Sequence, residues 1–334
     1  MITHTGLFSY FGQLGAIGVD IFFALSGYLI GNQIFSKIAK HEPFFIKNFY
    51  LNRMVRILPN YCFVLALYFI FPFIGEYPMK TPFWEFATFT QNLLPIELPA
   101  AFSHAWSLCI EEHFYLILPL LALLFIKKPS LRGAWTLIGI ILIGEIIIRT
   151  VIWAYILRDA GSDLPYLNRN WVYAPTFTRL DGLTLGVAIA LLKNFHPASW
   201  DKLTNHGRLS FIVGIVGIAC VIYMHYIMPL NDYSITVFSY TMLAFSAAAL
   251  TLSALSKQSP LNAICIPWVT PLAIISYAMY LIHKILIHAV VVTLGAFNLD
   301  VSAFILLTLS IVATLAGTWL LYRCVERPFH SLLS

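Results

Sequence analysis

The feature that most constrains this chain is a series of long apolar runs, each about as long as a bilayer is thick. A spanning helix takes about 20 largely apolar residues. Nine runs of that kind can be read: 14–35, 55–75, 106–126, 133–157, 174–192, 209–228, 234–256, 268–294 and 301–322. Composition agrees, because 60% of the 334 residues are hydrophobic and 10% are charged, where a soluble domain carries about 25% charged residues. A water-soluble fold of this length could not hide that much apolar surface, so lipid is the solvent. The expected fold is all-α, a polytopic transmembrane helix bundle with residues 1–334 as one membrane domain and no loop long enough for a soluble one.

The formal net charge of +5 looks at first like a signal for nucleic acid. Its placement argues for topology instead. Fourteen lysines and arginines, among them Lys37, Lys47, Arg53, Arg56, Lys127 and Arg327, fall in one set of alternate loops and adjoining helix ends. The other set holds three, Lys80, Arg158 and Arg169, beside acids such as Glu76, Asp163 and Asp232. The positive-inside rule makes the first set cytoplasmic, which puts the C-terminus inside and residues 1–13 outside. No signal peptide carries those residues across, so the expectation is an N-terminally truncated chain whose first helix is mostly missing, with a genuine N-out start, since short tails can translocate, as the alternative. The five cysteines are scattered through or beside apolar runs, where cysteine acts as a small hydrophobe. They suggest neither a disulfide framework nor a metal site.

Ionisable side chains within a span are costly and ordinarily face a partner or a wet cavity. Glu145 and Arg149 are spaced i,i+4 on one helix face, as a structural ion pair would be. Arg179 and Asp181 are two apart and cannot face each other on a helix, so each needs a partner elsewhere, with Glu111 or Asp20 as candidates for Arg179. In Gly18-Val-Asp-Ile-Phe-Phe-Ala-Leu-Ser-Gly-Tyr-Leu-Ile30, Ser26 and Gly27 permit close helix packing. In Arg53-Met-Val-Arg56 the i,i+3 spacing places two guanidiniums on one side of a turn. That arrangement suits phosphate oxygens, and it equally suits lipid headgroups.

Two adjacent carboxylates, Glu111 and Glu112, stand in Ser103-His-Ala-Trp-Ser-Leu-Cys-Ile-Glu-Glu-His-Phe-Tyr115. Neighbouring helix positions point about 100° apart, so one of the two faces any given site. Ser107 and Glu111 share a face, bordered by Trp106 and Tyr115. His283 lies in Ser276-Tyr-Ala-Met-Tyr-Leu-Ile-His283 and reads first as a hydrogen-bonded packing group, beside a Lys284 that must snorkel or find a partner.

These segments, in this order, resemble the acyltransferase-3 family of bacterial integral-membrane acyltransferases, along essentially the whole chain. The segments that carry the likeness are GVDIFFALSGYLI, RMVRILPNY, WSLCIEEHFYLILPL, RLDGLTLG and YAMYLIH, with VERPF at the end. The resemblance implies a ten-helix core, a catalytic histidine at the outer end of the first helix and an RxxR motif at the cytoplasmic side of the second. His4 stands in the expected position for that histidine. By the same likeness, an acetyl or other short acyl group moves from a cytoplasmic acyl-CoA such as acetyl-CoA to a hydroxyl of a cell-surface glycan. His4 would be general base, Asp20 or Glu111 would steady its imidazolium, and Arg53 and Arg56 would hold coenzyme A phosphates. Ser107, Trp106, Arg179, Asp181 and His283 would support substrate or structure. The expected partners are membrane lipid, the glycan and acyl-CoA, with no tightly bound cofactor, no metal and no nucleic acid, and the expected place is the inner (cytoplasmic) membrane. A transporter or flippase for a glycan or lipid precursor would also explain spans and buried charges but not the ordered motifs, and an inactive truncated homologue would keep both.

Overall fold

The computed structural model describes residues 4–95, 100–127, 130–263, 267–299 and 301–330. Among the described residues there are helices and connections but no strand. The long helices are α1 (His4–Ala39), α2 (Ile46–Ile70), α4 (Trp106–Lys127), α5 (Leu131–Ile152), α9 (Gly207–Ile227), α10 (Tyr233–Ala254), α11 (Val269–Ala296) and α12 (Ala303–Leu321). Between and after them stand the shorter α3 (Phe83–Ala87), α6 (Leu164–Asn168), α7 (Asp181–Phe195), α8 (Pro197–Thr204) and α13 (Arg327–His330). Eight helical segments among the described residues are long and apolar enough to cross a membrane. The protein is a multi-pass helical membrane protein.

Three expected spans are built differently from the sequence reading. The run 174–192 is helical only from Asp181 to Phe195, a rod of about 22 Å at 1.5 Å per residue, short of a bilayer core of about 30 Å. Pro175 begins a tight turn over Thr176–Thr178, and Thr178 Oγ1 donates to the carbonyls of Val172 and Pro175 at 2.8 and 3.0 Å, holding that turn against a helix. Helix α7 is instead a core element, with every residue from Asp181 to Leu191 buried. Helix α2 begins at Ile46, well before the expected start, so that Arg53 and Arg56 sit inside it. Helix α1 runs unbroken from His4 to Ala39, so the residues expected as an outer tail extend that rod to about 54 Å.

Glycines set how closely the core closes. A Cβ on Gly27 would stand 2.1 Å from the carbonyl oxygen of Leu183, and one on Gly186 would stand 2.2 Å from that of Ala24. Helices α1 and α7 therefore touch backbone to backbone, as small residues allow in membrane bundles. Ile140, Ile143 and Ile147 on α5, Ile212 and Val216 on α9, and Ile311 and Val312 on α12 remain exposed. Lipid tails are as apolar as these side chains and cover them at no cost.

Candidate active site

The α1–α7 contact carries the most deeply buried charges. Arg179, at the turn into α7, donates from Nη2 to both carboxylate oxygens of Asp20 on α1, at 2.8 and 2.9 Å. Its guanidinium lies over the rings of Tyr240, Tyr173 and Trp106, at 4.3, 5.4 and 5.8 Å from their centroids. A desolvated cation over aromatic faces gains about 2 kcal/mol or more, which helps hold a charge with no route to water. Asp181 accepts from Arg149 Nη2 at 3.1 Å, and Thr241 on α10 bonds both partners. Glu145 is 3.9 Å from Arg149, the i,i+4 pair expected on α5, and also accepts from the backbone N–H of Leu180. Arg179 and Asp181 do face different partners, and of the two candidates Asp20 is the one that meets Arg179. The whole network ties α1, α5, α7 and α10 together.

A second polar group links α1, α2 and α4. Tyr115 donates to Glu111 Oε2 at 3.1 Å and forms a hydroxyl–hydroxyl contact with Ser26 of α1. Glu111 is buried, and its other oxygen has no hydrogen-bond partner among the described residues. The half-buried Arg53 sits over the Tyr115 ring at 5.0 Å. Both Arg53 and Arg56 are within electrostatic reach of Glu111. Arg56 is exposed. One turn further along α2, Asn60 donates to Glu326 at 2.6 Å, so the VERPF segment fixes the stretch of α2 that carries the arginines.

At the opposite end from Arg53, the start of α4 meets α11. Ser107 and Tyr280 share a hydroxyl–hydroxyl hydrogen bond of 2.6 Å, and Tyr280 also lies 2.6 Å from the carbonyl of His104. His104 bonds the carbonyl of Leu281 through Nε2 at 3.1 Å, while His283 bonds that of Tyr280 through Nδ1 at 2.7 Å. The two imidazole centroids are 5.1 Å apart. Lys284 donates to Ser103 at 3.3 Å. Because Ser107 and Glu111 lie one turn apart on α4, polar side chains run in a file through the bundle: Arg53, Tyr115, Glu111, Ser107, Tyr280, His104.

His4 opens α1, and its side chain lies outside the described residues. Sixteen helical steps separate its backbone from that of Asp20, about 24 Å along the axis. Asp20, Arg179, Asp181 and Trp106 gather in one network, Glu111 and Arg53 in another, and Ser107 and His283 in a third. A cavity of 360 Å³ opens between α4, α5 and α7, lined by apolar side chains with His113 and Thr176 at one edge. Arg53, Glu111 and His104 are not among its walls, so the file and that cavity are separate features.

Four contributors were not singled out from sequence. His104 precedes the first turn of α4, where helical spacing gives no face to assign. Tyr280 stands three residues before His283, a spacing that could have paired them. Tyr173 and Tyr240 come from a connection and from α10, and nothing local marks either as a wall around a buried guanidinium.

With this geometry in place, comparison with known proteins identifies the class. The family model for an acyltransferase domain, of the acyltransferase-3 type, matches residues 2–323. The chain belongs to that family of membrane acyltransferases. Over 225 residues it is 30% identical to a peptidoglycan O-acetyltransferase, OatA, of Listeria monocytogenes, covering 62% of this chain and 34% of that protein. It is 25% identical over 338 residues to an O-acetyltransferase, OatA, of Staphylococcus aureus, covering 95% of this chain and 53% of that one. A further Staphylococcus aureus protein, named a putative O-acetyltransferase, is 29% identical over 231 residues. The chain thus spans about half, or less, of the length of the curated relatives it matches. No solved structure matches it.

Proposed function

We propose that this protein moves an acetyl or other short acyl group from acyl-CoA, bound at the arginine-bearing end of α2, to a hydroxyl of a cell-surface glycan at the opposite end. The observation that carries this reading is the side-chain file from Arg53 through Tyr115 and Glu111 to Ser107 and Tyr280. An acyl group that crosses a bilayer needs a line of groups that can hold a thioester arm at one end and an alcohol at the other. The relatives named as O-acetyltransferases, one of them of peptidoglycan, support the glycan and the acetyl group. The clustering of lysine and arginine at one end supports placing that end in the cytoplasm of a cell with an inner membrane.

In this reading Arg53 and Arg56 hold donor phosphates, with the exposed Arg56 making the freer contact and Arg53 fixed over Tyr115. The alcohol must lose its proton as it attacks the thioester carbon. A neutral imidazole with an ordinary pKa near 6.5 suits that task, and His4 is the base the family likeness points to. Both Asp20 oxygens accept from Arg179, while Glu111 keeps one carboxylate oxygen without a hydrogen-bond partner among the described residues. Asp20 and Arg179 then act by holding α1 against the start of α7, and Asp181 by holding α7 against α5.

Mass spectrometry of the surface glycan from cells with the gene, without it, and with His4→Ala tests the reading. The expected result is O-acylation that depends on the gene and falls about 10²–10⁴-fold in the variant. Glycan acylation unchanged by deletion of the gene would end the proposal, and full acylation with His4→Ala would remove His4 from it.

A further inference from the structure

We propose that His104 and His283 form the binding site for the acceptor alcohol, each offering one bare imidazole nitrogen to a hydroxyl of the sugar. This rests on the acyltransferase reading and names the part of the protein that takes the acceptor.

The tautomers follow from the hydrogen bonds. A carbonyl oxygen only accepts, so the ring nitrogen facing it carries the hydrogen. His104 Nε2 faces the carbonyl of Leu281, which leaves Nδ1 of the neutral ring with its lone pair. That atom is buried and has no partner among the described residues. A buried polar atom without a partner costs about 1–3 kcal/mol, and such atoms in a folded protein call for an explanation. His283 Nδ1 faces the carbonyl of Tyr280, so its lone pair is on Nε2. Two adjacent imidazoles therefore hold their N–H groups in backbone bonds and keep their basic nitrogens for something else.

The backbone is bent to deliver this arrangement. Phe102, two residues before His104, adopts the left-handed conformation at φ +54°, which costs a bulky residue about 1–3 kcal/mol. Its ring is held among Tyr68, Phe86 and Tyr61, at 5.0, 5.7 and 5.6 Å, and edge-on to His104 at 5.1 Å. Strain retained by surrounding packing is common where a side chain must be aimed. Around the pair stand the donor Lys284 and the hydroxyls of Tyr280 and Ser107. Acceptors and donors packed this closely match the neighbouring hydroxyls of a sugar, each of which gives one hydrogen and takes another. His283 and Lys284 are only partly buried. Lys284 is also within electrostatic reach of Glu76 and Arg169, which lie in the connections at the end away from Arg53. Lys284, Glu76 and Arg169 thus mark the side from which an acceptor would reach the pair.

Two substitutions separate this role from a packing role. In His104→Gln the amide nitrogen can keep the bond to Leu281 while the Nδ1 lone pair is lost, and in His283→Asn the bond to Tyr280 can be kept while Nε2 is lost. Purified protein in nanodiscs would be assayed with acetyl-CoA and a soluble oligomer of N-acetylglucosamine and N-acetylmuramic acid. Binding of the oligomer alone would be followed by calorimetry. The expected result for each variant is at least a tenfold rise in acceptor KM and a matching loss of oligomer binding, with donor KM and Tm unchanged. Acceptor KM and oligomer binding equal to wild type in both variants would overturn the proposal, as would a fall in Tm that moves donor and acceptor parameters together. Wild-type protein that binds the oligomer through these residues without acylating it would sink the acyltransferase reading and leave this site standing. Wild-type protein that does not bind the oligomer would overturn the site.

Discussion

Asp20 and Arg179, 159 residues apart in the chain, meet through two hydrogen bonds of 2.8 and 2.9 Å at a point neither side chain shares with the surface. The pair joins α1 to the turn that starts α7, and Asp20 is the acid whose carboxylate oxygens accept from the Arg179 guanidinium among the described residues. Taking away one partner strands a full charge.

Asp20→Leu is therefore expected to cost about 3–5 kcal/mol, the usual consequence of leaving a buried charge alone. Thermal unfolding in detergent checks this. The double variant Asp20→Leu with Arg179→Met should be less damaged than Asp20→Leu alone, because no charge remains uncompensated. A double variant that melts below both singles would show that the ring of tyrosines, not the ion pair, holds the contact.

Helix contact makes a paired prediction about glycine. Gly186→Val must push its side chain into the backbone of α1, where a Cβ would already stand 2.2 Å from Ala24 O, and should destabilise by about 1–3 kcal/mol or more. Gly144→Ala on α5, where nothing lies within 4 Å, should be neutral or stabilise by up to about 1 kcal/mol. Melting temperatures of the two variants, measured side by side, decide the matter.

Tyr115→Phe removes one hydroxyl that serves both Ser26 and Glu111. The ring under Arg53 remains. Leaving buried polar groups unpaired costs about 1–3 kcal/mol of stability, and with Glu111 no longer held by that hydroxyl the transfer rate should fall as well. Turnover at saturating donor and acceptor is the readout, and a rate within twofold of wild type would exclude Glu111 from the working file.

The two arginines of α2 should differ. Arg56 is exposed and Arg53 is packed over Tyr115, so Arg56→Ala should raise donor KM about tenfold or more with little change in Tm, each lost charge-assisted bond being about 1.5–3 kcal/mol. Arg53→Ala should raise donor KM and lower Tm as well. Lysine at either position should restore only part of donor binding, because a point charge does not reproduce the two-pronged guanidinium.

Much of this was legible in the residues. Runs of apolar length gave the helical membrane fold, and the spacing of Arg179 and Asp181 correctly denied them to each other. The α7 segment was misjudged because apolar content alone does not register that Pro175 and the Thr178 hydroxyl hold its first residues in a turn. The start of α2 was misplaced because a window of hydropathy stops at Lys47 and Arg53, while a helix does not, since long cationic side chains reach for the interface. His104 stayed hidden for a different reason: its meaning comes from Leu281 and His283, which lie 177 and 179 residues away in sequence, and from a left-handed backbone at Phe102 that local preference would not place on a phenylalanine.

The most direct test puts the protein in sealed vesicles with a single orientation, with radiolabelled acetyl-CoA on the side of Arg56 and the soluble glycan oligomer on the side of Lys284. The account predicts ester-linked label on the oligomer, abolished when the donor is moved to the oligomer's side. Oligomer that crosses the vesicle wall unlabelled, or label that appears whichever side the donor is on, would contradict transfer through the bundle.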